Sequence, residues 1–219
     1  MLSYKTPFLA LLVLGASAFM DAQTPATRIA DLEAAAARNG MDATVLKDLG
    51  EYYFGQAVAG DKCAVDRGLD VYISLMQLEP AKAIHPCRFG SLSTMKGRDA
   101  SLPMARMWHV QKGLEALTKA VELAPDDLGI RLTRANTCNA LPIQFKQIDT
   151  AIGDCQHLDG LFAKNPQQFP KDLVFQTRLL LASSLNKAGR GEEARAILEK
   201  LKIDAQGTPF AAQAKELLK

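Results

Sequence analysis

The segment Gly113 to Pro125, GLEALTKAVELAP, has a second copy forty-five residues upstream, GLDVYISLMQLEP over Gly68 to Pro80. Gly68 matches Gly113, Leu69 matches Leu114, Asp70 matches Glu115, Leu78 matches Leu123, and both copies stop at a proline. A chain that repeats a helix-length segment together with its boundaries has few folds open to it. One copy cannot bury its own apolar stripe, so the copies must stack and share a core. Val, Ile and Thr form no alternating runs, and only 6% of the chain is aromatic. The stacked units are therefore expected to be helical.

Taken in order, Arg28 to Arg38 reads as a short Ala-rich helix stopped by Asn39-Gly40. Asp42 is placed to cap a helix over Ala43 to Val58, with Leu46, Leu49, Tyr53 and Phe54 on one stripe. Gly60-Asp-Lys breaks it, and the next helix carries the first copy to Pro80. A second unit opens with a helix from about Cys87 to Asp99. It restarts at Pro103, where a first-turn proline costs no hydrogen bond. Met104, Met107, Val110, Leu114, Leu117, Val121 and Ala124 then recur at steps of three and four, and Trp108-His109 beside them reads as core. A third unit has a helix over Leu128 to Asn139. Leu141-Pro142 is punctuation equivalent to Leu102-Pro103, and the following helix runs to Lys164. The fourth has helices over Lys171 to Lys187 and Glu192 to Lys202 around Gly189-Arg-Gly191. Phe210 to Leu218 closes the array. The expectation is ten helices in antiparallel pairs and no strand.

Residues 1–22 stand apart. Lys5 precedes an apolar run, Pro7 to Met20, shorter than the ~20 residues that span a bilayer, and Ala16-Ser-Ala18 fits a small-x-small cleavage pattern. This reads as a secretory signal peptide ahead of a domain over 23–219, so the expected location is periplasmic or secreted. Export gives meaning to Cys63, Cys87, Cys138 and Cys155: an even number in an oxidising compartment suggests two disulfides. Of three connectivities, Cys63–Cys87 with Cys138–Cys155 is preferred, each bracketing a helical turn-around and each worth ~3 kcal/mol. A net charge of +2 argues against a nucleic-acid partner.

The fourth unit resembles a tetratricopeptide repeat, two helices in about 34 residues with small and large residues alternating where they cross. Leu181-Ala182 stands for that family's Leu-Gly pair, Leu185 for its tyrosine, Gly189 for the turn, Ala194 for the small crossing residue, and Leu198 and Leu201 for the later apolar positions. Leu49-Gly50 and Tyr53 fit in the first unit, and Gly113, Leu117, Ala120 and Pro125 in the second. The early tryptophan of the family is missing from every unit, and the third fits only through Ala151, Cys155 and Leu158. The resemblance implies an all-α right-handed superhelix of about four helical hairpins plus capping helices. It also implies the family's usual work, holding a peptide or partner helix in the groove lined by the first helices of each pair.

Those helices contribute Arg88, Lys96, Arg98, Arg131, Arg134, Asn136, Gln176 and Arg178 as candidate groove residues. Arg131 and Arg134, three apart, share a helix face and suit bidentate capture of a carboxylate. The competing reading has them pairing with Asp126, Asp127 or Asp149 to fix the packing. His85-x-Cys87 and Cys155-x-His157 lack zinc-finger spacing, and no metal or cofactor is expected. With three histidines, no His-Glu-x-x-His and no nucleophile elbow, no catalytic constellation presents itself. The functional expectation is a non-catalytic scaffold of the bacterial envelope that binds a protein or peptide, with the arginines favouring an acidic one. The alternative is a subunit packed permanently into a larger envelope assembly.

Overall fold

The computed structural model describes residues 25–39 and 42–219. The signal-peptide reading of 1–22 lies outside these residues. Ten α-helices follow one another, with no strand among the described residues: α1 Pro25–Asn39, α2 Ala43–Val58, α3 Lys62–Leu78, α4 Ile84–Asp99, α5 Pro103–Leu123, α6 Leu128–Ala140, α7 Ile148–Lys164, α8 Lys171–Lys187, α9 Gly191–Asp204 and α10 Pro209–Leu217. Local chemistry sets many of the boundaries. The Asp42 carboxylate accepts the Thr44 N–H at 2.8 Å, Asp61 accepts that of Cys63 at 2.8 Å, and Asp127 accepts that of Ile130 at 2.9 Å. Each satisfies a donor that a helix start leaves free. The second helices of the first three units end alike. Glu79 (φ −130°, ψ 65°), Ala124 (−143°, 75°) and Asn165 (−137°, 67°) leave the helical region immediately before Pro80, Pro125 and Pro166. A following proline ring clashes with the helical conformation of its predecessor, so the same punctuation recurs.

The helices pair as α2/α3, α4/α5, α6/α7 and α8/α9, with α1 and α10 at the ends. The first members, called A helices below, touch one another from unit to unit: α2 with α4, α4 with α6, α6 with α8, and α8 with α10. The second members, the B helices, make no comparable contacts with each other. The A helices therefore lie on the inner side of the array. Two large apolar clusters form the core, one from α2, α3 and the Phe89–Leu92 turn of α4, the other from α6 to α10. Two smaller clusters bridge them. One joins Cys87, Leu117 and Val121 to Ile130, and the other joins Val110 and Leu114 to Cys138 and Ala151.

The duplicated segment is explained at α4. A Cβ on Gly68 of α3 would lie 2.7 Å from Leu92, and one on Gly113 of α5 would lie 2.7 Å from the Gly90 carbonyl oxygen and 3.0 Å from the Thr94 nitrogen. Both repeated glycines thus admit the same helix, α4, from different sides. The α4/α5 crossing is close because small residues line α4: Gly90, Thr94 and Gly97 face Gly113 and the backbone of Arg106 and Val110. The Ser93 hydroxyl donates to the His109 carbonyl at 2.8 Å, which answers the polarity of a buried serine. Helix α4 consequently has ten buried positions and little solvent-facing surface.

Several expectations need correction. Helix α4 begins at Ile84 rather than Cys87, because Pro86 fits its first turn. Pro142 does not restart a helix as Pro103 does. It opens a 3-10 turn over Ile143–Phe145, Lys146 follows at φ 54°, and α7 begins only at Ile148. Met104, Met107 and Trp108 are not core. They are 81%, 62% and 57% exposed, and the buried stripe of α5 starts at Val110. All four cysteines are free thiols. Cys63 is exposed, while Cys87, Cys138 and Cys155 are buried in three different apolar clusters, so neither expected disulfide forms.

Candidate functional site

The A-helix face carries four of the eight candidate groove residues, all arginines, and each is engaged with a carboxylate. Arg88 of α4 donates from Nε and Nη2 to both oxygens of Glu51 on α2, each at 3.0 Å, with its guanidinium 4.1 Å over the Phe54 ring. It therefore ties the first unit to the second. In the third unit, Arg131 Nη1 donates to Asp154 Oδ1 at 2.7 Å, and Arg134 donates from Nε and Nη2 to Oδ2 and Oδ1 at 2.7 Å each. Asp154 on α7 is 1% exposed, and the two guanidinium groups are 13% and 14% exposed. Their partner is thus not Asp126, Asp127 or Asp149. Arg131 also donates to the Pro125 carbonyl. Hydrogen bonding to Asp154 holds the Arg134 pKa above its ordinary value, against the opposing effect of burial. Arg178 of α8 donates to Asp159 of α7 at 2.8 Å and lies 3.9 Å from Asp204 of α9, so it links the last two units.

The remaining candidates do not join this face. Asn136 is turned onto its own helix, donating to the Leu132 carbonyl at 2.9 Å, and Gln176 is half-buried. Lys96 pairs with Asp66 at 2.7 Å, and Arg98 is bidentate to the neighbouring Asp99 at 3.0 Å. Lys96 and Arg98 occupy the last turn of α4, at the edge where A helices turn into B helices. Two cavities lie off the A-helix face. One of ≈ 220 Å³ is bounded by Ile29, Glu33, Tyr53, Cys63 and Arg67, and one of ≈ 390 Å³ by Gln111, Glu115, Lys119, Glu122 and Gln147. Among the described residues no three His, Cys, Asp or Glu side chains converge as a metal site. His85 is buried, with Nε2 2.8 Å from Glu79, and Nδ1 has no partner. Hydrogen bonds from His85 and Lys47 hold the Glu79 carboxyl below its usual range.

The edge where A helices turn into B helices holds what sequence reasoning misplaced. Leu102, Met104, Met107 and Trp108 project from the α4–α5 turn and the start of α5, and Ile143, 66% exposed, projects from the α6–α7 turn. These turns are neighbours, since Leu141 and Phe145 pack against the cluster that Val110 and Leu114 of α5 share with Cys138 and Ala151. Lys112 Nζ sits 4.8 Å over the Trp108 ring, which stacks edge-on against His109 at 4.7 Å. Partial burial first, then Lys96 and Lys112, lower the His109 pKa. A signal was available for two of them: Met104 and Trp108 lie on a stripe that continues into Gln111 and Glu115, whereas Met107 is in register with Val110 and Leu114.

No protein-family model and no curated protein matches the chain. Among solved structures it is similar to the crystal structure of a thermophilic TPR protein of Thermus thermophilus. The TM-score is 0.61 at 17% sequence identity, over 87% of this chain and 88% of that one. Identity at that level carries the architecture alone. Together with the stacked A and B helices, it makes the fold tetratricopeptide-repeat-like.

Proposed function

We propose that this chain is a non-catalytic protein-interaction scaffold of the bacterial cell envelope, holding an acidic peptide segment or partner helix against its A-helix face. The observation that carries the reading is the two-to-one pairing in the third unit: Arg131 and Arg134 share the single carboxylate of Asp154. One positive charge is left over on a partly solvated face, and the bonds of Arg134 use Nε and Nη2, leaving Nη1 for a further acceptor. A guanidinium already fixed by one carboxylate presents its remaining edge without further ordering, which suits a second carboxylate. Placement in the envelope rests on the leader-like residues 1–22. The scaffold character rests on rigid stacked hairpins that present a continuous inner face.

Affinity capture from an envelope extract tests it. A partner held by the arginine face is expected to be released by a high-salt wash, because exposed charge contacts are screened. It should also be lost with the pair Arg131→Ala and Arg134→Ala in a chain that keeps its helical circular dichroism. A captured set unchanged by that pair, while the melting temperature falls, would leave the arginines a purely structural role. A partner that survives the wash indicates instead a permanent apolar interface.

A further inference from the structure

The edge formed by the α4–α5 and α6–α7 turns combines three features found together nowhere else on the described surface. Its apolar side chains are large and more than half exposed: Leu102, Met104, Met107, Trp108 and Ile143. They stand on the two connecting turns and the first two turns of α5, so they protrude rather than line a cleft; the ≈ 390 Å³ cavity begins beyond them at Gln111 and is polar. The segments 100–112 and 140–148 contain Arg106, Lys112 and Lys146 and no Asp or Glu; of the two acids that bound them, Asp99 is paired with Arg98, and Asp149 lies in the first turn of α7. Arg106 is exposed and donates to the Ala100 carbonyl rather than to a carboxylate.

We propose that this edge is a membrane-docking surface, seating these five apolar side chains in the interfacial zone of an anionic lipid bilayer while Arg106, Lys112 and Lys146 meet the headgroups. Tryptophan and long apolar side chains backed by cations are the chemistry of interfacial anchoring, in which an indole sits at headgroup depth. No described helix is long and apolar enough to cross a membrane, so the contact is peripheral. A second copy of the chain fits less well. A two-fold contact centred on this edge would bring the three cations towards their own copies, and like-charge juxtaposition opposes association. The edge lies away from the A-helix face, and its role is independent of any peptide bound there.

Trp108 is the chain's single tryptophan, so it reports on this contact directly. The experiment adds vesicles of phosphatidylglycerol and phosphatidylcholine to the full chain and follows Trp108 emission, with and without lipids brominated along the acyl chain. A blue shift with bromine quenching is expected on the anionic vesicles, much reduced on phosphatidylcholine alone and at high salt. Arg106→Gln should weaken binding roughly fivefold, the worth of one cation near an anionic surface. Leu102→Ser with Met104→Ser should abolish quenching while the melting temperature holds, since both side chains are exposed. Adhesion through the apolar leader alone leaves Trp108 unquenched. Unchanged emission on anionic vesicles overturns the proposal. So does quenching that persists in the double serine variant, or a lipid-independent blue shift that tracks dimerisation in sedimentation.

Discussion

Gly113 and Gly90 meet backbone to backbone, and neither can carry a methyl group without moving a carbonyl or an amide. Gly113→Ala is therefore expected to destabilise the chain by about 2 kcal/mol, as overpacking of a close crossing does. Gly153→Ala, with nothing within 4 Å of the added carbon, should stabilise by up to ~1 kcal/mol through helix propensity. Urea denaturation of the two variants checks both signs. Asp154→Asn leaves two half-buried guanidinium groups short of a counter-charge and should cost about 3 kcal/mol by the same measurement. The thiols give a third expectation. Burial raises the pKa of Cys87 to about 11 and those of Cys138 and Cys155 to about 12. All three stay protonated at pH 8, so a thiol reagent should label Cys63 at once and the others only after unfolding. Because the folded values lie above the ordinary one of 9.0, these thiols contribute stability that is full below that pH and lost as pH rises through 11 to 12. The sequence pointed to Gly113 by duplication, but only the fold shows that its counterpart Gly68 and Gly113 clasp one helix. The same limit applies to the cysteines, whose even number and spacing carried no information about which cluster each would enter.

At the scale of elements, most boundaries were legible because side chains next to them do local chemistry. Asp42, Asp61 and Asp127 cap helices that the sequence placed correctly, and Pro80, Pro125 and Pro166 end three B helices in one conformation. Asp61→Ala should cost ~1 kcal/mol, readable in the thermal midpoint, since the Cys63 and Ala64 N–H groups lose their acceptor. The misreadings share a cause. Leu102-Pro103 and Leu141-Pro142 look alike as dipeptides, but Phe145 follows the second and packs with Leu141 against the small cluster of Val110, Leu114, Cys138 and Ala151, and a 3-10 turn intervenes before α7. The first two turns of α5 carry an apolar stripe at helical spacing that faces solvent. Periodicity gives the existence of a stripe, whereas its burial depends on whether a neighbour is present, and Met104, Met107 and Trp108 are left exposed. The candidate groove was legible as far as which helices carry arginines. Their carboxylate partners, Glu51, Asp154 and Asp159, sit twenty or more positions away or on another helix, and no local pattern names them.

For the molecule as a whole, the core divides. One large cluster belongs to α2–α4 and the other to α6–α10, and α5 meets α6 more lightly than the other B helices meet the A helix that follows them. In a stacked array each unit is stabilised by its neighbours, so a thin seam is where cooperativity should fail first. Native-state hydrogen exchange is expected to resolve two blocks, α2–α5 and α6–α10. Ile130→Ala, which empties the small cluster across the seam, should lower the stability of the junction by about 2 kcal/mol or more and widen the gap between the blocks. A single protection level throughout would show that the seam is as strong as the rest. Helix α4 has the opposite position, enclosed by α2, α3, α5 and α6 with glycine, serine and threonine where neighbours press closest. Its sequence therefore has the least freedom to drift. A saturation scan of single substitutions should find its densest intolerant band over 85–97, where Gly90 and Gly97 refuse even a methyl group.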